Sequence, residues 1–135
     1  MAHVTVVNDS REFLELMHDL ISDLGHEMVG FKAEATSIDE LVETEPNLLI
    51  VDLRLEDTPQ LISGWELLVL ARSHRKLVAT PVILCTADAW ELKKRAADLE
   101  QIAGVHIRVK PFDLNDMADL IRQLLDANPP SPAAP

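Results

Sequence analysis

Short apolar segments alternate with amphipathic helical patterns along almost the whole chain. The strand-like segments are the runs at 3–7, 26–32, 47–53, 81–86 and 105–109. A helical pattern follows each of them, so the chain is organised as five β-α pairs. Parallel strands need crossover connections, and strict alternation is therefore typical of one parallel sheet with helices on both faces. We predict an α/β fold of this kind.

The third apolar run, "NLLIVDL" at 47–53, indicates a buried strand. Its apolar residues follow one another without alternation, as expected for a strand that is covered by helices on both faces. The run nevertheless ends at a carboxylate, Asp52, and two more acids, Glu56 and Asp57, lie just beyond it. In parallel sheets the ligand site lies at the carboxyl ends of the strands. This charged strand end therefore indicates a functional site at that edge.

The helices are marked by caps and by apolar residues at three- and four-residue steps. Asp9 or Ser10 can cap the first helix, and Gly25 stands just past its end. Ser37 and the glutamate three residues later form a capping box for a short helix over 37–44. The remaining predicted helices are 64–77, roughly 90–102, and a last one capped by Asp113 with its apolar stripe at 114, 117, 120, 121, 124 and 125.

Length and charge limit the function classes. The chain has 135 residues, which suits one compact domain, and its formal net charge is −11. We predict a domain over 1–127 and a flexible Pro- and Ala-rich tail over 128–135. An acidic surface repels phosphate backbones and anionic lipid, so we expect no nucleic-acid or membrane partner. Cys85 is the only cysteine of the sequence, which excludes an internal disulfide and fits a cytoplasmic location.

Polar side chains stand where four of the predicted strands end. They are Asn8 and Asp9 after the first strand, Asp52 on the third, Thr86 on the fourth and Lys110 after the fifth. If the sheet is parallel, two carboxylates, a hydroxyl and an ammonium converge at one edge. Close carboxylates repel each other unless a cation lies between them, and hard oxygen ligands suit Mg²⁺. Such a site is suited to receive a phosphoryl group on a carboxylate, as an acyl phosphate.

This arrangement resembles the receiver domain of two-component response regulators, the CheY-like family. The resemblance covers residues from about 3 to 126, and each motif falls at the end of the appropriate strand. Asn8-Asp9 matches the acid pair of the family, and Asp52 matches its phosphoacceptor. Thr86 with the alanine after it matches the Ser/Thr motif, and "KPF" from Lys110 matches Lys-Pro-Phe.

The resemblance implies a flavodoxin-like sheet in the order 2-1-3-4-5 and phosphoryl transfer from a sensor histidine kinase with Mg²⁺. Asp52, Thr86 and Lys110 would carry the transfer. Asp9 and Asp52 would bind the metal directly, together with the backbone carbonyl of Arg54, and Asn8 would bind it through a water. Phosphorylation would draw Thr86 inward and reshape the fourth helix, the fifth strand and the fifth helix.

Several positions depart from the family pattern. Asn8 replaces an acid, so one negative charge is lost and weaker Mg²⁺ binding is expected. Ile107 stands at the aromatic switch position, which puts the usual coupling to Thr86 in doubt. Arg54 and Asp88 occupy the two places that tune hydrolysis of the acyl phosphate, where opposite charges could pair over the site. The loop between Asp52 and the third helix is also longer than in the family.

Two readings of function remain open at this point. The leading one is a phosphorylation-dependent switch without a fused output domain, which changes its contacts with a downstream partner or a second copy. It is not an enzyme beyond its own phosphorylation and slow dephosphorylation. The alternative is a pseudo-receiver that keeps the fold as an interaction module and is not phosphorylated.

The expected partners are a sensor histidine kinase and, as further candidates, a histidine phosphotransfer protein and a second copy of the chain. Trp90, at the start of the fourth helix, either packs under the long loop or lies exposed as a partner anchor. An aspartyl phosphatase is disfavoured, because Arg54 stands where such enzymes place their general acid.

Overall fold

The computed structural model of the chain describes residues 2–8, 10–31, 37–52, 64–86, 89–110 and 112–127. The described strands form one parallel sheet in the order β2-β1-β3-β4-β5. They are β1 (His3–Val7), β2 (Glu27–Phe31), β3 (Leu48–Asp52), β4 (Val82–Thr86) and β5 (Val105–Val109). The fold class and the strand order are therefore confirmed, and each strand lies within a residue of its predicted run.

Helices cover both faces of this sheet. The described ones are α1 (Arg11–Asp23), α2 (Ile38–Glu43), α3 (Gly64–Ser73), α4 (Ala89–Lys94), α5 (Ala96–Glu100) and α6 (Leu114–Ala127). Within the part of the chain that the structure describes, none of them is long and apolar enough to cross a bilayer.

Helix α1 begins and ends as its sequence signals predict. The Ser10 hydroxyl accepts a hydrogen bond from the Phe13 backbone N–H at 3.2 Å, so Ser10 is the N-cap. At the other end Gly25 has φ of +87°, and the backbone N–H of His26 donates to the Ile21 carbonyl at 3.1 Å. This is the Schellman arrangement, in which glycine adopts the left-handed conformation at the least cost. The Ser10 cap fixes the backbone that leads from β1 into α1, and the Gly25 turn leads from α1 toward β2.

The prediction of a single helix over 90–102 is wrong, because the structure has two short helices there, α4 and α5. The chain leaves helical geometry at Arg95, which has φ of −98° and ψ of 1°, and its N–H donates to Leu92 over a three-residue step at 3.2 Å. The Arg95 guanidinium lies 4.8 Å from the centroid of the Trp65 ring. A cation–π contact with another helix therefore accompanies the turn.

The predicted helix over 64–77 is also too long. Helix α3 ends at Ser73, and turns follow in which the His74 ring nitrogen Nδ1 accepts from the Lys76 N–H at 3.1 Å. The apolar residue Leu77 is buried, although it lies beyond the helix. The apolar periodicity continued through this turn and gave no sign of the helix end.

The sheet separates two apolar clusters, because side chains alternate between its faces. One cluster packs under α1 and α6 and includes Ile50 and Cys85. The other packs under α2 to α5 and includes Val51 and Leu84. The third and fourth strands are buried on both faces, as their continuous apolar runs predict. By this alternation Asp52 follows the α1/α6 face and Thr86 follows the opposite face.

Arg72 ties α3 to the start of β5. Its guanidinium donates to the carbonyls of Ala103, Leu77 and Gly104 at 3.0, 3.0 and 3.2 Å. Desolvation lowers the pKa of this guanidinium, which nevertheless stays protonated. Five N–H donors in a rigid fork allow one arginine to bind three carbonyls at once. The carbonyls of Leu77 and Gly104 also accept from the backbone N–H groups of Thr80 and Val82.

We expect Arg72→Met to lower the free energy of unfolding by about 2 kcal/mol, since three hydrogen bonds from a charged donor are lost. Arg72→Lys should recover only part of this, because an ammonium cannot reproduce the fork. Urea denaturation followed by circular dichroism measures both changes. Arg122→Met is the matched control, because Arg122 pairs with the exposed Asp119 and should change stability by less than about 0.5 kcal/mol. Equal losses at the two arginines would contradict this role for Arg72.

Candidate site at the carboxyl edge of the sheet

Asp52 is the last residue of β3 and lies at the edge predicted from the sequence. It faces Cys85 of β4 in the parallel register, and its side chain is only 15% exposed. A carboxylate this poorly hydrated needs hydrogen-bond donors or a cation close by.

Lys110 provides the first of these partners. Its ammonium Nζ lies 2.9 Å from Asp52 Oδ2, and its side chain is 24% exposed. The backbone places it there, because the Lys110 N–H donates to the Thr86 carbonyl at 2.8 Å directly beyond the β4–β5 pairing. Removing either member of such a poorly hydrated pair would leave the other without its opposite charge in the pair. The structure therefore brings together the predicted phosphoacceptor and the predicted lysine.

Asn8 provides the second partner of the same oxygen. This residue is 2% exposed, and its Nδ2 donates to Asp52 Oδ2 at 3.3 Å. Its Oδ1 accepts from the Ser10 backbone N–H at 2.8 Å. The Ser10 backbone N–H is a donor, so the side-chain oxygen of Asn8 must face it. The side-chain nitrogen of Asn8 therefore faces Asp52. An aspartate at this position could not donate to Asp52 while both carboxylates were ionised.

The metal-binding role of Asn8 stays a prediction. With its oxygen directed to Ser10, the amide presents a donor to Asp52 and would have to turn before its oxygen could face a metal-bound water. Within the described residues no group of three or more His, Cys, Asp or Glu side chains gathers as a metal site. Asp9, Arg54 and Asp88 lie outside the described residues, and the roles predicted for them stay predictions.

Thr86 and Ile107 lie on the α2-to-α5 face. Thr86 is buried at the end of β4, one residue beyond the position that faces Asp52. Ile107 pairs in register with Leu84, so it is the diagonal neighbour of Thr86 on the same face. Ile107 also lines a surface groove of about 240 Å³ with Leu92, Ala96, Leu99 and Glu100. The two predicted switch positions are therefore adjacent.

The structure adds Phe13 to the site, a residue that was not among the predicted site residues. Its ring centroid lies 4.5 Å from Lys110 Nζ, and the ring of Phe112 meets it edge-on at 6.1 Å. Phe13 begins the row of apolar residues at three- and four-residue steps along α1, a pattern that is typical of a core-facing helix side. The available signals were its position four residues after the acid-pair motif and the presence of Phe112 in "KPF". A cation–π contact depends on the three-dimensional arrangement of the ring and the ammonium, which these signals do not determine.

The comparisons agree with this geometry. A family model described as "Response regulator receiver domain" matches residues 4–122. The chain belongs to the response regulator receiver domain family. It is 30% identical over 122 residues to the transcriptional regulatory protein GltR of Pseudomonas aeruginosa, a match that covers 90% of this chain and 48% of that protein. It is 29% identical over 88 residues to the polar-differentiation response regulator DivK of Brucella ovis, covering 65% and 68% of the two chains.

Solved structures share the fold of this receiver domain. The signal receiver domain of a histidine kinase from Syntrophus aciditrophicus superposes with a TM-score of 0.81 at 21% identity, covering 100% of this chain and 98% of that one. The chemotaxis response regulator CheY4 of Vibrio cholerae gives 0.75 at 20% identity, covering 93% and 99%. The receiver spans about half the length of GltR, whose remaining part it does not match.

Cys85 borders the receiver site and is chemically protected. It is buried, and desolvation raises the pKa of its thiol to about 12. Lys110 acts in the opposite direction and lowers the pKa, while Asp52 raises it further. Because thiolates and not thiols are nucleophilic, Cys85 should be unreactive in the folded receiver.

We expect Asn8→Asp to destabilise the receiver in metal-free buffer at neutral pH by about 1–3 kcal/mol, because a hydrogen-bond donor to Asp52 becomes a second carboxylate. Urea denaturation in the presence of a chelator measures this loss. Asn47→Asp is the matched control with the same change of charge. Its Oδ1 accepts from the His3 N–H at 2.8 Å, a role that a carboxylate can keep. Equal effects of the two substitutions would show that net charge alone is responsible.

We expect Cys85 to react with a disulfide reagent at pH 8 only when the domain unfolds. The folded thiol is protonated there, and its pKa of about 12 lies above the ordinary value of 9.0. The same shift should lower the free energy of unfolding as pH rises above about 9, since only the unfolded state then loses the thiol proton. The thiol absorbance assay should give no fast phase in buffer and one thiol per chain in urea. A fast phase in buffer would contradict the protection.

Proposed function

We propose that this receiver domain is a phosphorylation-dependent switch that accepts a phosphoryl group on Asp52 from a sensor histidine kinase. The observation that supports this most directly is the ion pair at the end of β3, where Lys110 Nζ lies 2.9 Å from Asp52 Oδ2. Membership of the receiver family supports the reaction class. On this proposal the protein is not an enzyme for other substrates, although it promotes its own phosphorylation and slow dephosphorylation.

In the proposed reaction an Asp52 carboxylate oxygen attacks phosphorus, and the bond from phosphorus to the histidine nitrogen of the donor breaks. The electron pair of that bond stays on the imidazole, which then takes a proton from solvent. The product is an acyl phosphate on Asp52. The Lys110 ammonium, which pairs with the carboxylate before the reaction, would pair with the phosphoryl oxygens after it. The Thr86 hydroxyl would donate a hydrogen bond to one of these oxygens.

The donor set at this edge fits Mg²⁺ chemically. This ion prefers oxygen ligands, keeps several waters and takes one or two protein carboxylates. Asp52 and Asp9 would hold it with the backbone carbonyl of Arg54, and Asn8 would act through a water after its amide turns. When bound, the metal supplies positive charge that offsets charge on the phosphoryl oxygens.

The proposed output is a change of protein contacts. Movement of Thr86 toward the phosphoryl group would vacate space beside Ile107, its neighbour on the same face. That change would reach α4, α5, β5 and α6. Trp90 on α4 is 74% exposed. A downstream partner, a histidine phosphotransfer protein or a second copy of the chain would then read this face. A sensor kinase takes its phosphoryl group from ATP, so we place the protein in the cytoplasm.

We further propose that Arg54 and Asp88 tune the lifetime of the acyl phosphate. Their opposite charges would pair and restrict the access of water to the acyl phosphate. This role rests on their positions in the sequence.

A pseudo-receiver is the second candidate function, and one observation favours it. Asn8 Nδ2 donates to Asp52 Oδ2 at a position where the family has an acid, so a protein group supplies part of the compensation that a cation would otherwise provide. A site stabilised in this way can persist without a metal or a phosphoryl group. The fold would then serve as a constant interaction surface.

We expect wild-type protein to take up one phosphoryl group from a phosphorylated histidine kinase, or from a small phosphodonor such as acetyl phosphate, in the presence of Mg²⁺. Asp52→Ala should abolish this uptake, because the nucleophile is lost. Intact-mass spectrometry measures it, and the adduct should be labile in alkali, as acyl phosphates are.

Asp119→Asn is the matched control, since Asp119 lies exposed on α6 and should leave the uptake unchanged. Chelation of divalent ions should remove the uptake in both the control and the wild type. A wild type that stays unmodified under all donors would favour the pseudo-receiver. A label that remains on Asp52→Ala would contradict Asp52 as the acceptor.

A further inference from the structure

Lys110 contacts an aromatic ring as well as the carboxylate. Its ammonium lies 4.5 Å from the centroid of Phe13 while it is 2.9 Å from Asp52 Oδ2. The face of an aromatic ring carries negative charge density and attracts a cation within about 6 Å of its centroid. The ammonium is therefore held between a charged partner and an apolar one.

The position of the Phe13 ring is set by one backbone hydrogen bond and by the packing of the ring. The Phe13 backbone N–H is the donor to the Ser10 cap at 3.2 Å, so the first turn of α1 sets the position of its Cα. The ring of Phe112 meets the Phe13 ring at an interplanar angle of 87°, an edge-on arrangement that aromatic pairs favour. The ring is also packed against the apolar cluster under α1 and α6.

The contacts of Asp52, Asn8, Ser10, Phe13 and Lys110 form a closed ring around the carboxylate. Asp52 accepts from Asn8, Asn8 accepts from Ser10, and the Ser10 hydroxyl accepts from Phe13. The Phe13 ring contacts the Lys110 ammonium, and this ammonium donates a hydrogen bond to Asp52. One end of α1 therefore positions both donors of the same Asp52 oxygen, the amide through Ser10 and the ammonium through Phe13.

We propose that Phe13 is a positioning residue that holds the Lys110 ammonium over the site. This inference deepens the proposed function and rests on it for its kinetic consequence. Lysine is a point charge on a flexible stem, and nothing in its own geometry fixes where its charge lies. The ring keeps the ammonium close while the group it neutralises changes from a carboxylate to a phosphoryl group. An aliphatic side chain would fill the same space without attracting the cation.

The contact is tested first by NMR, without any phosphoryl transfer. Protons above an aromatic ring face are shifted upfield by the ring current, so the Hε signals of Lys110 should lie upfield in the wild type. Lys110→Arg identifies these signals by their loss. Phe13→Leu should return them toward the ordinary lysine position, and Phe13→Tyr should keep them upfield because it retains the ring. Signals that do not move in Phe13→Leu would overturn the proposal.

The kinetic test compares phosphorylation rates with acetyl phosphate and Mg²⁺. We expect Phe13→Leu to be about three- to tenfold slower than wild type, the factor that corresponds to a cation–π contact of this kind. Phe13→Tyr should stay within about twofold. Phe31→Leu is the matched control, because Phe31 is a partly buried phenylalanine packed against the other apolar cluster. An equal slowing in Phe31→Leu would show a general loss of packing and overturn the specific role.

A double-mutant cycle links the effect to Lys110. In a Lys110→Met background, Phe13→Leu should slow the residual rate by less than about twofold, since its target is gone. A full three- to tenfold loss in that background would overturn the proposal. If the wild type takes up no phosphoryl group, the proposed function fails, and the Lys110 Hε shift alone still decides whether Phe13 holds the ammonium.

Discussion

The parallel register of the sheet is the constraint on which the site depends. Because every strand runs in the same direction, the residues that end β1, β3, β4 and β5 come to one edge. The pairing of Asp52 with Cys85, and the hydrogen bond from the Lys110 N–H to the Thr86 carbonyl, fix the relative heights of these ends. A slip of one residue in β3 would direct Asp52 into the opposite apolar cluster. The two apolar clusters therefore fix the register of β3 and, with it, the position of Asp52 at the site.

The site shows how a poorly hydrated carboxylate is tolerated. Asp52 Oδ2 receives one charged and one neutral donor, from Lys110 and Asn8. Asparagine at position 8 has an effect that the family pattern does not reveal. Asparagine lacks the negative charge of an acid, which would favour binding of a cation, but it donates a hydrogen bond to Asp52. A receiver with an acid at that position relies more on a bound cation to separate its carboxylates.

The sequence predicted the fold to the extent that periodicity and caps determine it. Continuous apolar runs located β3 and β4, and Ser10, Ser37 and Asp113 cap α1, α2 and α6. The division of one predicted helix into α4 and α5 was missed, and the Arg95–Trp65 contact that accompanies it joins residues that are far apart in the chain. The pairing of Lys110 with Asp52 was predicted from strand ends alone. The Phe13 contact was not, since an apolar residue on a helical stripe is ordinarily core.

Holding Lys110 against Asp52 has a consequence for any ligand at this site. A cation or a phosphoryl group that approaches the carboxylate must displace or share the ammonium, which costs part of a poorly hydrated ion pair. The Phe13 ring lowers that cost, because the ammonium keeps one favourable contact while the other lengthens. A lysine held only by the carboxylate would have to enter solvent or lose its partner. The aromatic contact therefore allows one side chain to stabilise the resting site and still remain available when the negative charge at Asp52 is redistributed.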